Sequence, residues 1–450
     1  MSRVEVNPAL ANAKFVSGST MRHVLVMSAT GSVGLLALFV VDVLNLYYIS
    51  RLGQQELAAA VGYAGTILFF FTSIGIGLSI AATALTSRAL GTGNRQSACE
   101  LAGASLLVMG MSMAVLALLL APFLAQVLHA LGARGITADY ARRFMLIVLP
   151  SIPLLGLGMA FGGLLRALGD AKSAMYVTLS AGIATAILDP LFIFGFGWGL
   201  DGAAYANVLA RLAMVAGGAY SLRRHRLYAW PHLPVLQREW RPFFAIAIPA
   251  MLTQVATPVG NTVVTAAIAP YGDDAVAGWA VIGRLIPMAF CGIFALSGAI
   301  GPIIGQNLGA KRFDRLRGVM RDSLTVTLVY VALVWLVLAL GSGMIADGFG
   351  ARGLGRELIV FFCYAVSASF LFNGCLFVAN AAFNNLGFAF YSTMLNWARS
   401  TLGVIPFVWL GGKYYGAIGI LAGFGLGAVI FGVLGVLLCF RVLNGIERQD

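Results

Sequence analysis

Leu78–Gly91 reads LSIAATALTSRALG, and Leu296–Gly309 reads LSGAIGPIIGQNLG. Leu78-Ser79 matches Leu296-Ser297, and Ser87-Arg-Ala-Leu-Gly91 matches Gly305-Gln-Asn-Leu-Gly309, both at an offset of 218 residues. Leu168-Gly169 returns as Leu386-Gly387 at the same offset, while Asp42 aligns with Asn261 and Gly53 with Gly272 at 219. One register with a single-residue slip therefore runs through most of each half, which is the mark of a duplication.

The repeated unit is apolar. Of 450 residues, 60% are hydrophobic and 10% charged, against roughly 25% charged in an ordinary soluble domain. A spanning helix needs roughly 20 apolar residues, and runs of that length occur at 24–50, 57–84, 98–128, 143–165, 172–197 and 202–222. The second half repeats them at 243–269, 276–304, 319–346, 357–382, 390–411 and 414–441. The expected fold is an all-α integral membrane protein of twelve transmembrane helices in two six-helix lobes. An even number of spans per half starts both halves on the same side, so the lobes should be related by a pseudo-two-fold along the membrane normal.

The expected domains are a tail over 1–22, an N-lobe over 23–222, a linker over 223–241, a C-lobe over 242–442 and a tail over 443–450. The first span is followed at once by others and has no cleavage-site pattern, so it reads as a retained helix rather than a signal peptide. The net charge of +12 lies mostly in loops and not on one amphipathic face, so nucleic acid is not an expected partner. Lys and Arg gather in the tails and after even-numbered helices, as at Arg223, Arg224, Arg226, Lys311, Arg312, Arg315 and Arg317. That asymmetry orients both tails and the linker toward the cytoplasm, and the short loops fit a bacterial inner membrane. The five cysteines include no C-x-x-C pair and read as apolar filler.

Several motifs in this order carry a family likeness. They are Arg51-Leu-Gly53 followed by Leu57-Ala-Ala-Ala60, Ser87-Arg-Ala-Leu-Gly91, and Leu165-Arg-Ala-Leu-Gly-Asp-Ala-Lys-Ser173. Leu188-Asp-Pro-Leu-Phe-Ile-Phe-Gly195, Gly202-Ala-Ala-Tyr-Ala206 and Gly305-Gln-Asn-Leu-Gly-Ala310 extend it over nearly the whole chain. The sequence resembles the multidrug and toxic compound extrusion (MATE) family. The resemblance implies two six-helix lobes around a central cavity, with export of drugs or metabolites driven by proton or sodium entry through alternating access.

Ionisable residues within membrane spans are rare, and each is a candidate for function. Here they are Asp42, Asp189, Arg211, Arg284 and Arg399. Desolvation disfavours the charged form of a carboxyl in an apolar bundle, which suits a group that loads and releases a proton. Two carboxylates with neighbouring oxygens could instead hold sodium, and the residues alone leave both ions open. In the DinF-like branch that the chain resembles, acidic residues matching Asp42 and Asp189 form the cation site with an Asn and a Thr. The matching positions are Thr185 and Asn207, with the two residue types exchanged. The NorM-like branch carries acidic residues on helices seven and ten, and none occurs here in 241–269 or 358–382. Coupling is therefore expected in the first lobe, with protons favoured.

Two polar stripes in the second half could line a cavity or glue helices. Gln254 and Asn261 share one face of helix seven, and Asn373 and Asn380, with Asn384, one face of helix ten. Arg284 is a candidate substrate contact, whereas Arg211 and Arg399 read first as partners of helix C-termini or carboxylates. Helix one lacks the proline that many relatives carry, which leaves Gly31 and Gly34 as its weak points. No catalytic motif falls within a span, so the expectation is a non-enzyme without cofactor or bound metal. It would act as a monomer in the bilayer on small, cationic or amphipathic substrates. A lipid-linked precursor flippase is the alternative.

Overall fold

A computed structural model describes residues 13–52, 55–230 and 233–448. Most of the N-terminal tail, Gly53 of the Arg51 turn, His232 of the linker and the last two residues lie outside the described residues. The chain folds as two compact units, one built from Val33–Met251 and the other from Lys14–Ser32 with Leu252 onward. The regular structure of the described residues is all helical, without strands.

The first unit contains most of α1 (Thr20–Ser50), then α2 (Gln55–Gly91), α3 (Arg95–Leu120), α4 (Leu124–Ala130), α5 (Gly135–Val148), α6 (Ile152–Ala167), α7 (Ala171–Pro190) and α8 (Gly199–Arg224). α3 starts where the Asn94 side chain accepts from the Ser97 N–H, and α7 where Asp170 accepts from the Ser173 N–H, each supplying an N-cap. Pro122 and Pro150 sit in single 3-10 turns that separate α3 from α4 and α5 from α6. Since proline removes a helical hydrogen bond and clashes with the preceding turn, each pair is one broken span. The fourth span begins at Gly135 rather than at the expected 143, because its first turns are polar and helix continues beyond the apolar run. Gly163 lies against α2, where a Cβ would meet Thr83 Oγ1 at 2.5 Å; only glycine permits that approach.

The second unit contains the remainder of α9 (Leu233–Ile268), then α10 (Asp273–Ala289), α11 (Cys291–Gly309), α12 (Phe313–Gly348), α13 (Gly353–Tyr364), α14 (Phe370–Leu386), α15 (Ala389–Thr401) and α16 (Ile405–Glu447). The expected eighth and tenth spans are each broken, at Phe290 and over Val366–Ser369. The rings of Phe290 and Phe370 stack at 4.3 Å, so the two breaks meet in the core beside Ile293, Phe362 and Val366. Of the stretch 223–241 expected as a linker, 233–241 is already helix, as the start of α9.

Ten helical runs among the described residues are long and apolar enough to cross a membrane. One of them, Ala389–Glu447, has 59 residues, roughly 90 Å of helix and far too long for one crossing of a ~30 Å core. It divides inside α16 at Gly416, whose φ of 61° and ψ of −148° break the helix. α8, expected as the sixth span at 202–222, is a further and more polar pass, which brings the total to twelve. Leu336, Val337, Leu340 and Met344 of α12 are strongly exposed at helical spacing and form a lipid-facing stripe.

Candidate functional site

The two spanning carboxylates belong to the first unit. Asp189 is the penultimate residue of α7 and is 1% exposed. Beyond Pro190 the chain widens into a π turn over Leu191–Gly195, a form that often marks functional sites in helices. Asp189 Oδ2 accepts a 2.6 Å hydrogen bond from Asn45 Nδ2 on α1. Its other oxygen, Oδ1, is buried with no hydrogen-bond partner among the described residues. Asp42 lies three residues before Asn45 on the same face of α1; it is exposed, with no hydrogen bond or ion pair among the described residues. Neither carboxylate forms an ion pair with an arginine among the described residues.

The other two expected members of the cation site sit differently. Thr185 is one turn before Asp189, but its hydroxyl donates to Ala181 O at 3.0 Å in its own helix. That intrahelical bond satisfies the hydroxyl locally. Asn207 is half-buried on α8 and makes no hydrogen bond among the described residues. The structure thus joins α7 to α1 through Asn45, which sequence reasoning missed. The available signal was its spacing from Asp42, three residues along one helix.

Of the three spanning arginines, Arg211 is 7% exposed and donates to Ser151 Oγ at 2.8 Å and Val148 O at 3.4 Å. It thereby holds the break between α5 and α6. Arg399 is 5% exposed and donates to Thr257 Oγ1 at 3.0 Å. Arg284, on α10, is exposed and makes no hydrogen bond or ion pair among the described residues. Gln254 is half-buried and Asn261 exposed on α9, while Asn373 and Asn380 are buried on α14. Ser392 Oγ on α15 donates to the backbone carbonyl of Asn380 and to Asn384 Oδ1 at 3.2 and 3.3 Å, while Asn380 Oδ1 is buried with no hydrogen-bond partner among the described residues. No group of three or more His, Cys, Asp or Glu among the described residues could hold a metal ion.

A duplicated, all-helical chain of twelve membrane passes with a carboxylate buried between spans is built as a membrane transporter. The MatE family model matches residues 32–191 and 249–410, two copies separated by the offset of the internal repeat. The chain belongs to the MatE family of multidrug and toxic compound extrusion transporters. It is 28% identical to an FAD transporter of Shewanella oneidensis over 89% of this chain and 90% of that one. It is 25% identical to the multidrug export protein MepA of Staphylococcus haemolyticus, over 90% of each. Among solved structures it is similar to the Vibrio cholerae MATE transporter VcmN in the bent form, with 26% identity and a TM-score of 0.90. That alignment covers 95% of this chain and 97% of the other. The protein is a MATE-family efflux transporter.

Proposed function

We propose that the chain exports small organic compounds, cationic or amphipathic in character, in exchange for protons. Asp42, Asn45 and Asp189 form the coupling site of this reading. The observation that carries it is the bare Oδ1 of Asp189. A buried acceptor without a donor costs about 1–3 kcal/mol, and a proton on that oxygen removes the charge from an apolar site.

The same geometry favours a proton over sodium. Asn45 presents its N–H rather than its oxygen to the carboxylate, whereas sodium, a hard cation, calls for several converging oxygens. Both tails are cytoplasmic in this reading, by the distribution of Lys and Arg, and one chain in the bacterial inner membrane is the working unit.

A second substrate class has an observation of its own. Arg284 is an exposed guanidinium within a membrane helix and has no partner among the described residues, and the Shewanella relative is an FAD transporter. An anionic substrate would be recognised there, whether a soluble dinucleotide or a lipid-linked precursor.

Liposomes loaded with a fluorescent organic cation, and separately with FAD, are placed under a proton gradient or a sodium gradient. Proton-driven transport that is lost in Asp42→Asn and Asp189→Asn, at equal incorporation, is the expected result. Transport driven by sodium alone would overturn the ion. FAD transport that is abolished in Arg284→Gln, with no transport of the cation in the wild type, would overturn the substrate class.

A further inference from the structure

α5 and α8 of the first unit face each other across a cleft of about 460 Å³. It lies at the opposite end of the passes from the start of α3, since α3 begins after the second pass, α5 after the third and α8 after the fifth. At one wall Arg143 bonds the Asp201 carboxylate and ties the two helices together. Asp139 and Arg142 also line the cleft; both are exposed, and neither has a hydrogen bond or ion pair among the described residues. They stand three residues apart on one face of α5, so the cleft offers one unpaired carboxylate beside one unpaired guanidinium.

The remaining walls give the depth. Tyr205 borders the cleft and continues a run of rings through Trp198, Phe196 and Phe192, with centroids 5.2–5.8 Å apart. Trp198, Phe196 and Tyr205 are about half exposed. Exposed Trp and Tyr in a spanning protein mark the level of the lipid headgroups. Leu146 and Ile147 line the cleft one turn further along α5, toward the apolar part of the pass. The lining is therefore charged at headgroup level and apolar below it.

We infer that this cleft seats the headgroup of a phospholipid that carries both a phosphate diester and a primary ammonium. The Arg142 guanidinium matches a phosphate with two parallel donors, and the Tyr205 hydroxyl can add a third. The Asp139 carboxylate accepts from the ammonium, and the first turns of an acyl chain lie on Leu146 and Ile147. A choline headgroup has the charge but no N–H to donate to Asp139. A glycerol headgroup has the phosphate but no cation.

The test uses the full-length protein in detergent, offered equal amounts of ethanolamine, choline and glycerol phospholipids with identical acyl chains. Retained lipid is read by native mass spectrometry. The expected result is an ethanolamine over choline preference of about tenfold, reduced to about twofold or less in Arg142→Gln and in Asp139→Asn. Arg142→Lys, which keeps the charge and loses the fork, should fall between. Unchanged melting of the variants in choline lipid controls for folding. Equal retention of the three lipids, a preference that survives both variants, or a preference for the glycerol lipid would each overturn the inference.

Discussion

Asn45 gives its amide to one oxygen of Asp189, and the other oxygen has no partner among the described residues. Asn45→Leu therefore leaves the whole carboxylate unpaired in a buried site. The variant should lose about 1–3 kcal/mol of stability, read as a lower melting temperature, and should transport more slowly under a proton gradient while still binding substrate without one. Unaltered coupling would remove Asn45 from the site.

Asp170 gives a second test at the same scale, outside the apolar spans. Partial burial alone would raise its pKa, but hydrogen bonds from the Ser173 hydroxyl and N–H and from His225 outweigh that and hold it below the ordinary carboxylate range. A carboxylate stabilised in the fold contributes above its unfolded pKa, and the contribution is lost as pH falls below about 4. Asp170→Asn keeps a side chain able to cap α7, whereas Asp170→Ala removes it. Thermal melting at neutral pH should show a cost of about 0.5–2 kcal/mol for the alanine and less for the asparagine, with the alanine's penalty shrinking in acid. Asp42 and Asp189 were legible in the sequence because charge stands out in an apolar span. Asn45 was not, since a neutral amide is ordinary there and its partner depends on how α1 meets α7. The shared face of Thr185 and Asp189 was also legible, but not that the hydroxyl would turn to its own helix.

Helices show the same division between what hydropathy records and what backbone geometry decides. The expected end of the eleventh span, 411, and start of the twelfth, 414, lie close to Gly416, because Gly411-Gly412-Lys413 interrupts the apolar stretch there. The turn at Gly416 needs a conformation that is essentially restricted to glycine, and its limbs meet closely enough that a Cβ on Gly411 would lie 2.0 Å from Gly419 O. Gly416→Ala should cost about 1–3 kcal/mol, measured as a loss of melting temperature, whereas Gly445→Ala, with nothing within 4 Å of its Cβ position, should cost nothing. The early start of α5 escaped the sequence reading because Asp139, Arg142 and Arg143 interrupt the apolar pattern. The breaks at Phe290 and Val366–Ser369 escaped it because both lie inside continuous apolar runs.

At the scale of the whole molecule, α1 and α9 each belong to both units, with the divisions after Ser32 and Met251. Gly31 packs against Ala295 of α11 and Gly34 against Thr178 of α7, so the two glycines read as weak points also provide close contacts on either side of the first division. α9 runs unbroken through Pro249 and Pro258, which shows that proline alone does not set where a span divides. Before α1, the short segment from Lys14 lies on the second unit. Phe15 is 1% exposed, its N–H donates to Gln306 Oε1 at 2.9 Å, and Asn307 Nδ2 donates to its carbonyl at 3.2 Å. Arg315 donates to the carbonyls of Phe15, Ser17 and Gly18 at 2.9, 3.2 and 2.9 Å. The motif Gly305-Gln-Asn-Leu-Gly309 that disclosed the duplication thus holds the approach to α1, the helix that carries Asp42. Arg315→Ala removes three of these bonds at once from a partly exposed site, where hydrogen bonds from a charged group are worth about 1.5–3 kcal/mol each at most. Amide hydrogen exchange over 15–23 should then accelerate by roughly tenfold or more, while exchange in α13 and α14 of the same unit stays at the wild-type rate. Proton-driven transport should change with it, because the segment that steadies the start of α1 has been freed. Faster exchange with unchanged transport would make the seat a structural fastening and leave the movement of α1 independent of it.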